Sequence, residues 1–129
     1  MPRLYTIGYS RRRLDDIAHV LQTYEALLVD VRYNPTSRWR PEFRRHHLAA
    51  HFGTRYVWCQ ALGNRNYKGG PIQLADYPAG LAQVRTLLET HLALVLMCSC
   101  GEIETCHRTQ AAAQLSQDLQ VPLTHLVAL

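Results

Sequence analysis

Leu27-Leu28-Val29-Asp30-Val31, followed by Arg32, is an apolar run broken by a single acid. Such a run suits a strand covered on both faces, the habit of parallel sheets with helices above and below. On its N-terminal side, Leu4-Tyr5-Thr6-Ile7 reads as a strand ended by Gly8. Leu14, Ile17, Ala18 and Leu21 then form a helical stripe, with Asp15 and Asp16 where carboxylates favour a helix N-terminus. On its C-terminal side Pro35 ends the run, and Pro41 suits the first turn of a helix to about Phe52. Arg55-Tyr56-Val57-Trp58-Cys59 is the next strand. Residues 64–75 follow with no periodicity, a length that suits a binding loop or lid. From Asp76 the helical pattern is the clearest in the chain: Tyr77, Leu81, Val84 and Leu88 fall within about 60° of one another. Leu92 to Met97 is the most apolar strand; a helix from about Cys106 to Gln120 and a short strand around Leu123 to Val127 complete the chain.

Strand and helix therefore alternate throughout. Short right-handed crossovers then predict an α/β fold: one three-layer domain over residues 1–129, with a mainly parallel, Rossmann-like sheet and helices on both faces. A length of 129 residues agrees, since it leaves room for one core and not two. Apolar residues at 47% and charged residues at 19% describe an ordinary globule rather than a disordered or fibrous chain. The longest apolar run, Leu92 to Cys98, is too short to span a bilayer, so no membrane partner is expected. Four Cys are too few for a secreted disulfide scaffold, and the N-terminus lacks a leader pattern, which predicts a reducing cytoplasm.

The net charge is +4, and all of the excess lies between Arg38 and Arg55, where five Arg face one acid, Glu42. His46, His47, His51, Trp39 and Phe43 share that segment. This is the electrostatic footprint of a phosphate or nucleic-acid partner, or else a solvated helix face in a chain where Arg outnumbers Lys thirteen to one.

In an open parallel sheet, ligands bind beyond the carboxyl ends of the strands, where helix N-termini also point. That rule selects Gly8-Tyr9-Ser10, then Asp30-Val31-Arg32 with Pro35-Thr36-Ser37-Arg38, then Cys98 to Arg108. Arg108 shares a helical stripe with Ala112, Leu115 and Leu119, so it starts on the face packed against the sheet and needs a partner. Asp30 faces the same desolvation problem, and an Asp30 to Arg108 contact is predicted, either as part of the site or as a bolt between helix and sheet. Arg32 projects to the same side of the strand as Asp30 and is expected to stay free for a phosphate, which Arg binds bidentately. Tyr9, Ser10, Ser37 and Arg38 complete the substrate-binding set.

Cys106 and His107 open the last helix. The helix dipole and neighbouring cations lower a thiol pKa, so Cys106 is either a thiolate nucleophile or a small buried residue at a helix start. His107 suits proton transfer or anion binding, and Asp30 joins them as a catalytic candidate. Cys98, Cys100, Cys106 and His107 also invite a metal. Their C-x-C-x5-C-H spacing is not that of the usual zinc pairs, however, and adjacent residues 106 and 107 are poorly placed to share one ion. No metal and no other cofactor is expected.

Tyr5 to Ser10, Val29 to Arg32 with Asn34-Pro35 and Ser37-Arg38, Tyr56 with Leu62-Gly63, and Leu96 to Cys98 followed by Cys106-His107-Arg108 together resemble domain-of-unknown-function family 488. The resemblance implies a single α/β domain with a pocket at these motifs, and nucleotide or nucleic-acid chemistry. The family pattern usually has His in place of Tyr9 and Glu in place of Cys100, so a loop carboxylate here would have to come from Glu102 or Glu104. The leading expectation is an enzyme acting on a phosphate-bearing substrate, a nucleotide or nucleic acid. The alternatives are a nucleic-acid-binding or regulatory module built on residues 38–55, with Trp39, Phe43 or Tyr67 for stacking, and a thiol or metal-binding sensor.

Overall fold

The computed structural model describes residues 2–99 and 106–126. Its nine regular elements follow the predicted alternation: β1 (Arg3–Gly8), α1 (Leu14–Tyr24), β2 (Leu27–Asp30), α2 (Arg45–Phe52), β3 (Tyr56–Trp58), α3 (Tyr77–Thr90), β4 (Ala93–Cys98), α4 (His107–Leu119) and β5 (Leu123–Leu126). Every pairing between these strands is parallel, and their order is β3-β2-β4-β1-β5. Among the described residues, no helix is long and apolar enough to cross a membrane.

Strand parity divides the core in two. Leu4, Leu27, Val29, Leu94, Leu96 and Cys98 pack with Val84 of α3 and Ala111, Ala112 and Leu115 of α4. Tyr5, Ile7, Leu28, Val95 and Met97 pack with Ile17, Val20 and Leu21 of α1 and Leu48 and Phe52 of α2. Because adjacent residues on a strand point to opposite faces, an uninterrupted apolar strand such as β4 supplies both cores at once. The three layers are thus α1 and α2, the sheet, and α3 and α4.

The layering also locates a crevice. From β1 the chain moves by α1 to β2 on one side of β4, whereas from β4 it moves by α4 to β5 on the other side of β1. The connections after these adjacent strands leave over opposite faces, and their divergence opens a cleft at the carboxyl ends. Backbone bonds zip the rim just past the strands: Tyr9 donates to Cys98 O at 2.9 Å, Val31 to Met97 O at 3.0 Å and Cys59 to Asp30 O at 2.8 Å.

One predicted helix is broken. Pro41–Phe43 forms a 3-10 turn, Arg44 is extended at φ −69° and ψ 149°, and only then does α2 begin. Arg44 Nε donates to Ser37 O at 3.1 Å and Arg45 N to Pro35 O at 3.1 Å, so the break is where this segment docks onto the loop after β2. The unpatterned stretch after Gly63 is ordered by polar ties: Asn64 Oδ1 accepts from the backbone N–H groups of Asn66 and Gln73, and Asn64 bridges Leu74.

Candidate functional site

The crevice holds a cavity of about 300 Å³. Tyr9 follows β1, Arg32, Tyr33, Asn34 and Thr36 follow β2, Cys98 and Ser99 close β4, Cys106 and His107 open α4, and Asn64 and Tyr67 come from the loop before α3. Asn34 Nδ2 donates to Tyr67 Oη at 3.0 Å, which ties that loop across the mouth.

On one wall, Asp30 is fully buried and receives three side-chain donors. Arg32 Nε and Nη2 meet its two oxygens at 2.7 and 2.6 Å, and Tyr56 Oη donates to Oδ2 at 2.6 Å. Burial alone would lower the Arg32 pKa, but the hydrogen bond and charge of Asp30 outweigh it and raise it. Burial and then Asp30 push the Tyr56 phenol up, so Tyr56 remains a donor. Arg32 Nη1 reaches Tyr9 Oη at 3.3 Å, and the Tyr9 ring stacks on Phe43 with centroids 4.2 Å apart. Trp58 Nε1 donates to Arg32 O at 2.8 Å and fixes the turn from the β3 side.

This corrects two expectations. Asp30 pairs with Arg32 and Tyr56 and does not contact Arg108. It has the parity of Leu28 and points to the α1 and α2 layer, whereas Arg108 lies under α4 on the opposite face. Arg32, for the same reason, is not a free anion clamp: its fork is spent on the carboxylate two residues back.

On the other wall, Cys98 and Cys106 are 2% and 5% exposed, with their sulfurs 2.7 Å apart. Arg108, 1% exposed, extends beneath them and its Nη1 lies 3.2 Å from Cys98 Sγ. Burial would lower the Arg108 pKa, but the charge and hydrogen bond of Cys98 raise it. Cys106 acts on the guanidinium in the same direction, so one buried cation serves both sulfurs. The hydrogen bond to Cys98, and then burial, push the Cys106 thiol up to about 12, against the expectation that the helix start would ionise it. His107 Nε2 lies 2.7 Å from Val31 O. A carbonyl only accepts, so Nε2 carries a ring hydrogen, which in the neutral ring puts the lone pair on Nδ1.

Cys98, Cys106 and His107 offer ligand atoms within 4.8 Å of one another. Adjacency of residues 106 and 107 does not keep them apart, because Cys106 is the extended N-cap, at φ −91° and ψ 138°, and His107 the first helical residue. The change of backbone conformation between them turns both side chains to one point.

A second cavity, of about 600 Å³, shares Asn34 and Thr36 with the first. Pro35, Ser37, Arg38, Arg44, Arg45, His46 and Trp58 complete its lining, and the Arg45 guanidinium carbon lies 4.7 Å from the Trp58 ring centre. Ser37 and Arg38 belong here rather than to the thiol cavity. Ser37 is buried and its Oγ accepts from Arg40 N at 3.2 Å, so it also caps a turn. Ser10 is exposed and lines neither cavity. Phe43, expected to stack on bases, is buried under Tyr9, whereas Trp39 is 84% exposed. Cys100, Glu102 and Glu104 lie outside the described residues. Sequence reading missed Tyr33 and the Trp58 anchor; Thr36 and Ser99 lay in the selected turns, and Tyr56 in the family pattern, without an assigned role. Tyr56 and Trp58 had a signal in the parallel register that sets them beside Leu28 and Asp30, but only the pairing reveals it.

A three-layer domain with a parallel sheet and a thiol and imidazole cleft at the switch in strand order defines the class. The chain belongs to the family described as domain of unknown function DUF488, whose model matches residues 13–115. The match covers most of the chain and includes Cys98, Cys106 and His107, while β1 and Tyr9 precede it. None of the curated proteins and none of the solved structures compared with the chain matches it.

Proposed function

We propose that the protein is a cytoplasmic enzyme acting on a phosphate-bearing substrate, a nucleotide or a nucleic acid. In this reading the arginine-lined cavity holds phosphate and the thiol and imidazole cavity holds the reacting unit. The observation that carries it is the junction of the two cavities through Asn34 and Thr36. Arg38, Arg44 and Arg45 supply guanidinium groups not spent on a buried acid, and Trp58 offers a ring beside them. Arginine forks match phosphate geometry, and a positive groove beside an aromatic face suits nucleotides. Cys98, with Arg108 beneath it, replaces Cys106 as the nucleophile of this proposal. His107, its Nε2 hydrogen held by Val31, presents Nδ1 as a proton acceptor. Asp30 orients Arg32 and Tyr56 and takes no part in proton transfer.

Fluorescence anisotropy with a labelled single-stranded oligonucleotide, competed by mononucleotides and by inorganic phosphate, tests the binding half. The double variant Arg44→Ala, Arg45→Ala is expected to weaken binding at least about tenfold, the loss of roughly 1.4 kcal/mol. Unchanged affinity overturns the assignment. The exposed Trp39, with the Arg38 guanidinium 5.5 Å from its ring, favours a second reading, a nucleic-acid-binding module without turnover. Incubation of bound oligonucleotides and nucleotides with the wild-type chain, followed by mass spectrometry of the products, separates the two. Product that disappears with Cys98→Ser while affinity persists supports the enzyme; affinity without product supports the module.

A further inference from the structure

We propose that Cys98, Cys106 and His107 form a three-ligand site for a soft divalent cation of the zinc class, with the remaining coordination position facing the cavity. The inference stands apart from the identity of whatever fills the arginine-lined cavity, and where the cation is bound it gives Cys98 and His107 the role of ligands in place of nucleophile and proton acceptor. It rests first on the donors. Two sulfurs and one imidazole nitrogen, drawn from the end of β4 and the start of α4, converge within 4.8 Å, which is the grouping of three such donors found among the described residues. Sulfur and imidazole select zinc-like ions and reject magnesium and calcium, which prefer oxygen.

The second observation is the imidazole. Ligating histidines characteristically donate their other ring N–H to a carbonyl or carboxylate, which fixes the tautomer and the ring plane. The 2.7 Å contact of His107 Nε2 with Val31 O is that bond, and it comes from β2's end, a segment that contributes no ligand. It leaves Nδ1 as the ring nitrogen whose lone pair is available to a cation. The third observation is the outer contact to sulfur: Arg108 Nη1, 3.2 Å from Cys98 Sγ, places a buried cation against one ligand and offsets part of the negative charge that two thiolates bring. The fourth is access. Cys98 and Cys106 are almost wholly buried, yet all three residues line the 300 Å³ cavity, so the donors are backed by protein and border the cavity. Three protein ligands and an open position are the pattern of catalytic rather than structural zinc.

Loading is a proton exchange. The cation takes the sulfur lone pairs, and each ligating thiol that still holds a hydrogen releases it to solvent as a proton. No oxidant or reductant takes part. The two sulfurs sit 2.7 Å apart, and the cation inserts in place of the hydrogen between them, so the sulfurs must separate to accept bonds of about 2.3 Å each.

The experiment uses the full chain, reduced, stripped with a chelator and titrated anaerobically with Co²⁺ as a spectroscopic probe, then with Zn²⁺. The expected result is saturation at one equivalent, with near-ultraviolet thiolate-to-cobalt charge transfer and the intense visible bands of four-coordinate cobalt, both abolished by an equivalent of zinc. Cys98→Ser, Cys106→Ser and His107→Ala should each weaken binding by more than the roughly 10–100-fold that loss of an outer-shell partner costs. Cys59→Ser and Cys100→Ser should keep the spectrum. A reading that needs no variant is alkylation of the wild-type chain followed by peptide mass spectrometry: zinc should protect Cys98 and Cys106 together. Absence of charge transfer at stoichiometric cobalt, loss of the spectrum in Cys100→Ser, or recovery of Cys98 and Cys106 as a disulfide that takes up no metal would each overturn the proposal.

Discussion

Asp30 is where single-residue chemistry matters most. A buried carboxylate costs several kcal/mol to desolvate, and here two arginine nitrogens and a phenol offset that cost. Asp30→Asn leaves Arg32 buried without its counter-charge and is expected to destabilise the fold by about 3–5 kcal/mol in chemical denaturation. Tyr56→Phe removes one hydrogen bond to a charged group and should cost about 1.5–3 kcal/mol. Equal losses for the two would show that the ion pair is not the dominant part. Cys59, buried beside the Gln60–Leu62 turn, gives a test with a pH sign. Burial raises its pKa from about 9 to about 11, so the folded chain holds this proton more tightly than the unfolded one. The stability it contributes is complete below pH about 9 and declines until pH about 11, by up to roughly 2–3 kcal/mol. Urea unfolding of Cys59→Ala should show a shallower alkaline decline than wild type; identical slopes would remove Cys59 from the account.

At the scale of elements, most positions were legible because hydrophobic periodicity is a local property. The 3.6-residue stripe of α3 and the apolar runs of β2 and β4 carry their own assignment. What periodicity does not carry is docking. The break at Arg44 comes from backbone and guanidinium bonds to Pro35 and Ser37, partners seven to ten residues away, and nothing in the pattern of 41–52 announces it. Gly63 is a similar case. A Cβ there would lie 2.4 Å from the Tyr33 N and Cα atoms, so the turn before the loop packs directly on the backbone that lines the cavity. Its φ of −75° is ordinary, and the requirement is space rather than conformation. Gly63→Ala is expected to lose about 1–3 kcal/mol by overpacking and to displace Tyr33. Thermal unfolding reads the first effect, and the chemical shifts of Tyr33 and Tyr67 read the second.

Across the whole molecule, the charge is as polarised in space as along the chain. The excess from Arg38 to Arg55 reaches the larger cavity through Arg38, Arg44, Arg45 and His46, while Arg40 is drawn toward Glu42 at 3.7 Å and Arg55 lies 5.6 Å from the Phe52 ring centre. If three arginines neutralise three phosphates of a single strand, the logarithm of the binding constant should fall with that of salt with a slope of about −2. Arg44→Ala, Arg45→Ala should bring the slope to about −1 or shallower, and a slope unaffected by these changes would place the anion elsewhere.

The sequence by itself determined the alternation of strands and helices, the parallel sheet, and the three turns whose reactive residues meet at one rim, since each follows from local periodicity and a general rule of strand connection. Tertiary structure alone decided the pairings. Asp30 and Arg108 both required partners, yet the sheet stands between them: one carboxylate faces α1 and α2, and one guanidinium faces the sulfurs under α4. Which face a helix covers depends on strand order, and strand order is a property of contacts distant along the chain.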